Sequence, residues 1–264
     1  MEKDQLLGLG DIHGKINITI SEINRIGIEN TYILQVGDFG IGFKNIVKES
    51  YRMKFLNDYL LSRNIIMYAI RGNHDDPKFF RNTWKEEILR YNIEEKKYSE
   101  IIIEQALNRI EDLTNIIFVE DYSVLEILGK KILCVGGAIS IDRKKRIENL
   151  SWWKDEPLYL NEEKLRNIGQ VDYLCLHMAP STILSYVKYR IPEHSDMKSL
   201  KERDEYLATD MIYESHVAET IYQHVLNQGN LTKFFCGHYH RSVHTKIFDL
   251  QVSVIDIDEF IRII

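Results

Sequence analysis

Five short apolar runs in this chain each end on residues able to bind a metal ion or move a proton. Leu6-Leu7-Gly8-Leu9-Gly10 leads into Asp11-Ile12-His13, Ile33-Leu34-Gln35-Val36 into Gly37-Asp38, and Met67-Tyr68-Ala69-Ile70 into Arg71-Gly72-Asn73-His74-Asp75. Leu174-Cys175-Leu176 leads into His177, and Phe234-Phe235-Cys236 into Gly237-His238-Tyr239-His240. Imidazole, carboxylate and amide donors in this mixture suit Mn, Fe, Zn or Ni better than Ca. Asp11, His13, Asp38, Asn73, His177, His238 and His240 are too many donors for one tetrahedral ion and a good number for two. Two divalent ions held roughly 3.5–4 Å apart by a bridging carboxylate clamp the attacking and leaving oxygens of a phosphoryl transfer. Taken singly, each signal is weak: Asp-x-His is commonplace, a His-x-His pair can decorate a strand surface, and a histidine after an apolar run is usually a satisfied core residue. What separates them from chance is that five loops share one strand-end context and one ligand chemistry.

Such donors act together only if the runs before them are strands, since ligands of open α/β sheets bind at the carboxyl ends of the strands. The runs Leu6 to Ile12, Tyr32 to Val36 and Ile65 to Ile70 read as strands. Ile46, Val47, Tyr51, Phe55, Tyr59 and Leu60 recur at helical steps between the last two, the alternation of a largely parallel sheet. A second helix is expected from Ile102 to Leu113, then a strand over Ile116 to Val119 and a hairpin of Ser123 to Leu128 with Lys131 to Val135 around Gly129-Lys130. Val171 to Leu176 and Phe234 to Cys236 are later strands, separated by a helix-rich stretch from about Ser199 to Asn227, and His244 to Ile257 closes as another hairpin. No Pro-, Gly- or Ser-rich linker divides the 264 residues, so one α/β domain over 1–264 is expected.

The ordered set Asp11-x-His13, Gly37-Asp38, Gly72-Asn73-His74-Asp75, His177 and Gly237-His238-x-His240 resembles the calcineurin-like metallophosphoesterases, and its motifs span nearly the whole chain. The resemblance implies two mixed β-sheets packed as a sandwich flanked by helices. It implies one metal ion held by Asp11, His13, Asp38 and His240 and another by Asp38, Asn73, His177 and His238, with Asp38 bridging. His74 would face the substrate, protonating the leaving group or stabilising its charge. Family members often carry Gly-Asp-x-x-Asp at the second motif, extended to Arg in protein phosphatases; Ile41 and Gly42 stand at those two places here. That disfavours a protein phosphatase and leaves open which carboxylate, if any, orients His74, with Asp75 and Asp76 both nearby.

The expected activity is hydrolysis of a phosphodiester or phosphomonoester, nucleotide-like, at two divalent ions, with manganese first and iron, zinc or nickel as alternatives. A noncatalytic scaffold on the same fold is the rival class, disfavoured because every ligand and the catalytic histidine are present. With 34 basic and 40 acidic residues the net charge is −6, which argues against strong nonspecific nucleic-acid binding. The N-terminus lacks a secretion signal, no apolar stretch approaches a membrane span, and Cys134, Cys175 and Cys236 lie inside apolar runs; a cytoplasmic protein is expected. The segment Ser140 to Pro157 leaves a strand end on the site side and is expected to recognise substrate, through Arg143 and Arg146 for phosphate and Trp152 and Trp153 for stacking, with Arg143 the residue singled out. His194, His216, His224 and His244 match no motif, and Glu86 to Lys97 reads as a solvated helix face.

Overall fold

The computed structural model describes residues 2–95, 98–187 and 204–264; His194, Lys96, Lys97 and the start of the stretch expected to be helical from Ser199 lie outside the described residues. A first sheet has the order β11-β1-β2-β3-β4, made of β1 (Leu6–Leu9), β2 (Tyr32–Gln35), β3 (Ile66–Ala69) and β4 (Ile116–Phe118) in parallel, with β11 (Phe260–Arg262) antiparallel to β1. A second sheet has the order β5-β6-β7-β8-β10-β9, comprising β5 (Ser123–Ile127), β6 (Lys130–Val135), β7 (Tyr173–Leu176), β8 (Lys233–Cys236), β9 (Val243–Ile247) and β10 (Leu250–Val254). In it β6, β7, β8 and β10 run parallel, and β5 and β9 are antiparallel edges.

Side-chain alternation explains the layers. Leu6, Leu34, Val36 and Ile70 of the first sheet meet Ile132, Cys134, Cys175 and Phe235 of the second in an inter-sheet core. Leu7, Leu9, Ile33 and Met67 face the other way, under α1 (Ile16–Ile26), α2 (Ile46–Ser62), α3 (Trp84–Glu94) and α4 (Glu100–Glu111). Leu133, Leu174 and Phe234 likewise pack under α5 (Glu162–Arg166), α6 (Ser181–Val187) and α7 (Leu207–Asn227). The protein is therefore an α/β sandwich of two mixed sheets with helices around them.

Helices α5 and α6 are not expected from the sequence, and three further differences have a physical reason. The first strand stops at Leu9 because the chain then turns to deliver Asp11 and His13. Helix α1, rich in Ile and Asn, carries little intrinsic helix preference and is fixed by burial of Ile16, Thr19 and Ile23 and by Gly27, whose N–H caps the Ile23 carbonyl at a φ of 77°. The tail makes the expected hairpin but then returns to the first sheet as β11, too short to announce itself by alternation. Among the described residues no helix is long and apolar enough to cross a membrane.

Candidate metal centre

All five loops converge at the carboxyl ends of β1, β2, β3, β7 and β8. Asp11, His13, Asp38 and His240 each place one donor atom within 4.8 Å of the others. His13 Nε2 stands 3.0 Å from His240 Nε2, and His240 Nε2 is 3.2 Å from Asp11 Oδ2. On the inner side, His177 Nε2 lies 3.3 Å from both Asp38 Oδ1 and Asn73 Oδ1, and His238 Nδ1 is 3.1 Å from Asn73 Oδ1. All seven sequence-selected donors are thus brought together around Asp38.

The backbone is bent to achieve this. His13, Asp38, His238 and His240 have φ of 46°, 55°, 69° and 50°, in the left-handed region, which costs L-residues energy although His and Asp tolerate it better than most. Glycine is required where donors press on the chain: a Cβ at Gly72 would fall 2.1 Å from Asp38 Oδ1, and one at Gly37 would fall 2.2 Å from His177 Nδ1. Ile12 and His13 both donate their N–H to the Asp38 carbonyl, at 3.0 and 2.8 Å, which ties the first loop to the second.

Asp75 is the residue that ties the second loop to the third. Fully buried, it accepts from the N–H groups of Phe39, Gly40, Ile41 and Gly72, at 2.7–3.2 Å. Burial, with Asp38 adding its charge, pushes its carboxyl up to about 7. Asp76 instead pairs with Lys78. Neither contacts the ring of His74; Arg146 does, with Nη1 3.3 Å from Nδ1 and Nη2 3.0 Å from Nε2. Phe43 stacks near the same ring at 6.2 Å between centroids, and the His74 N–H donates to Asp38 Oδ1 at 2.7 Å.

The electrostatics are those of a cation site. Burial pushes the Asp11 carboxyl up, against the pull of His240. Burial acts on Asp38 in the same sense, but His177, His74 and His13 hold it well below the usual carboxylate range. Burial opposes a charge on His177, yet Asp38 and Asp11 overcome it and raise the imidazole to about 9. His74, which lacks a carboxylate at its ring, is lowered to about 4 by burial, with Arg146 opposing the pull of Asp38. His177 donates its Nδ1–H to the Val36 carbonyl at 2.8 Å, the tautomer that leaves Nε2 as a bare donor for a metal. Acceptor atoms packed 3.0–3.3 Å apart in a buried space fit a divalent ion, which takes the place of shared protons.

Arg143 and Arg146 fall to different pockets. Arg143 does not line the pocket of the donors; its Nε lies 2.5 Å from Asp204 and its Nη2 2.6 Å from Asp210, so the two carboxylates hold it in the wall of a neighbouring cavity. Arg146, one turn further on, is the arginine in the donors' pocket, steered there by an Asp142 ion pair at 2.7 Å. Trp153 is 1% exposed and packs edge-on against Phe43, so it is core, whereas Trp152 lines the cavity. His216 and His224 sit on α7, and His244 pairs with Glu259. Arg52 was missed by sequence reasoning: it bridges the first and second loops through the carbonyls of Gly14 and Gly40 and pairs with buried Glu49, a role with no local motif to betray it.

The sequence profile of the calcineurin-like phosphoesterases matches residues 5–242. No curated protein matches the chain. One solved structure, whose description names no activity, superposes with a TM-score of 0.51 at 10% identity, over 99% of this chain and 95% of its own. The phosphopantetheinyl hydrolase of Mycobacterium tuberculosis gives 0.46 at 12% identity, over 96% and 89%, and TT1561 of Thermus thermophilus gives 0.42 at 12%, over 96% and 88%. At 10% identity the first of these speaks for the fold alone, and the profile match over nearly the whole chain is what decides. The chain belongs to the calcineurin-like phosphoesterases, a family of binuclear metal enzymes that hydrolyse phosphoester bonds.

Proposed function

We propose that this protein hydrolyses a small, nucleotide-like phosphodiester or phosphomonoester at two divalent metal ions. The observation that carries the reading is the convergence of donors from five loops on Asp38, beside a pocket of about 300 Å³ that also holds His74 and Arg146. Asp11, His13, Asp38 and His240 are assigned to one ion, and Asp38, Asn73, His177 and His238 to the other. The mixed nitrogen and oxygen donors support manganese, with iron, zinc or nickel as alternatives. When bound, the ions supply Lewis-acid charge and bring the pKa of a water toward neutrality.

The chain's own groups supply the rest. Arg146 offers a planar pair of N–H donors, suited to nonbridging phosphoryl oxygens. His74, anchored by its N–H on Asp38 and flanked by Phe43 and Arg146, is assigned to protonate the departing alkoxide, a role it can take once Arg146, which disfavours a charge on the ring, turns from it to the phosphoryl group. The neighbouring cavity, about 660 Å³, shares Ile139 with this pocket and is lined by Trp152, Tyr159, Tyr206 and Tyr213. Those rings support a planar leaving group such as a nucleoside, with Lys144 and Lys154 at the wall for further negative charge. A core shared between the two sheets supports treating 1–264 as one domain, and three buried free thiols support a reducing, cytoplasmic setting.

The test is a screen of aryl phosphomonoesters, aryl phosphodiesters and 2′,3′- and 3′,5′-cyclic nucleotides with chelator-stripped protein reloaded with Mn, Ni, Zn or Mg. Turnover with a transition metal and preference for a nucleotide over the aryl ester are expected. Protein carrying two ions yet inactive on every substrate would overturn the reading.

A further inference from the structure

We infer that Ser140 and Glu156 are positioning residues that fix which end of the Asn73 amide faces the metal centre, an inference that rests on the two-ion reading above. Asn73 Nδ2 donates to Ser140 Oγ at 3.1 Å, and Ser140 Oγ donates in turn to Glu156 Oε2 at 3.0 Å. The other carboxylate oxygen, Oε1, accepts from the Ser140 N–H at 2.6 Å and from Trp152 Nε1 at 2.9 Å. Asn73, Ser140 and Glu156 are 4%, 1% and 1% exposed, so bulk water does not stand in for a missing link.

An amide has an acceptor at one end and two donors at the other in nearly the same shape, so its neighbours decide its orientation. Here the inward end must be Oδ1, which stands 3.3 Å from His177 Nε2 and 3.1 Å from His238 Nδ1. A serine hydroxyl has one proton. As long as that proton is given to Glu156, Ser140 presents only lone pairs to Asn73, and the amide can offer it only Nδ2. Replacing Glu156 with glutamine reverses the polarity. The retained Oε1 still has to accept from two groups that can only donate, so Nε2 turns to Ser140 and donates to it. The serine proton is then freed toward Asn73, which favours the flipped amide and sets an NH2 group against the histidines. A packing role for these residues has no such direction. The relay requires that Ser140→Ala and Glu156→Gln, chemically unlike changes at different places in the chain, damage the same ion site.

The experiment uses the full chain, stripped by chelation and titrated with Mn²⁺ under argon at pH 8.5, above the value of about 8 to which burial pushes the Glu156 carboxyl. Bound ions are counted by electron paramagnetic resonance and affinities measured by calorimetry. Wild type should take up two ions. Ser140→Ala and Glu156→Gln should each keep one ion at wild-type affinity and bind the second roughly 10–100-fold more weakly, the usual penalty for losing an outer hydrogen-bond partner of a ligand. Ser140→Thr, which keeps the hydroxyl, should restore the second ion. Melting of the metal-free forms separates this from a folding defect, and if Ser140→Ala is poorly folded Glu156→Gln decides. Two ions at wild-type affinity in the folded variants would overturn the relay while leaving the two-ion reading intact; fewer than two in wild type would overturn that reading and the relay with it.

Discussion

The pocket of the donors and the cavity beside it share Ile139 and are walled by residues of the same segment, yet they treat polar groups in opposite ways. In the first, imidazole nitrogens and carboxylate and amide oxygens face one another at 3.0–3.3 Å and have to share protons among themselves. In the second, Arg143 is matched by Asp204 and Asp210, and Glu214 accepts from the N–H groups of Ile139 and Leu158 at 3.1 and 2.9 Å. Converging carboxylates and imidazoles that share protons make a place that a cation could take. In the proposed reading, the second would take a flat organic group against its aromatic rings, with Arg143 and Glu214 already committed to partners in the wall.

Asp38→Ala should break the comparison most severely. Its carboxylate touches both proposed half-sites, so elemental analysis should fall from about two ions toward none. Two-metal charge stabilisation is worth several kcal/mol, so turnover should drop by about 10⁴-fold or more. Full retention of metal would remove the bridge assignment. Next comes His74→Ala, which should keep both ions and lower turnover by roughly 10²–10⁴-fold, with a smaller loss for a nitrophenolate leaving group that needs little protonation. An equal loss for good and poor leaving groups would reduce His74 to a group that orients the ester.

That these seven side chains meet in one place was legible in the sequence because strand ends, motif glycines and ligand chemistry coincide within a few residues at five places. What could not be read was pairing across distance. Asp75 looks like a spare carboxylate beside Asn73 until four backbone N–H groups from two loops are seen to converge on it. Arg143 and Arg146 are equivalent on paper, and three positions separate them; Asp142 draws the latter to His74 while Asp204 and Asp210, some sixty positions on, draw the former away. Strand β11 illustrates the same limit for the fold, since three residues carry no periodicity and only their pairing with β1 makes them a strand.

The two arginines give the third prediction. Arg146→Ala should lower the specificity constant roughly 10–150-fold on every phosphoester, the range set by losing about 1.5–3 kcal/mol of charged hydrogen bonding. Arg143→Ala should leave aryl phosphate kinetics unchanged and raise the Michaelis constant only for a nucleotide, because it loosens the cavity wall. Its partly exposed ion pairs should cost about 1 kcal/mol of stability. Similar kinetic losses from both substitutions on an aryl ester would erase the distinction between the two pockets.

Glu214 gives the smallest effect, on stability alone. Its carboxyl is buried against the cavity wall, and burial, only partly offset by its two backbone hydrogen bonds, pushes it up to about 7 from an ordinary value of 4.5. The folded protein therefore holds a proton that the unfolded chain releases, and stability from this group is fully present below pH 4.5 and is lost as pH rises through about 7. Glu214→Gln cannot ionise, but its NH2 must face either the Ile139 or the Leu158 N–H, so it forfeits one hydrogen bond, about 1 kcal/mol, at every pH. Thermal melting of the chelated protein should show the variant slightly below wild type at pH 5 and above it by pH 8, because a carboxyl raised from 4.5 to about 7 loses roughly 3 kcal/mol over that range, more than the one hydrogen bond the glutamine forfeits. Asp75 and Glu156, raised to about 7 and about 8 by burial, keep some slope in both proteins, so the prediction concerns the difference between the curves. Parallel curves from pH 5 to pH 8 would mean that the carboxyl is already ionised in its cavity wall, and the contrast between a pocket of converging charges and a cavity walled by a neutral, hydrogen-bonded carboxyl would lose its clearest thermodynamic mark.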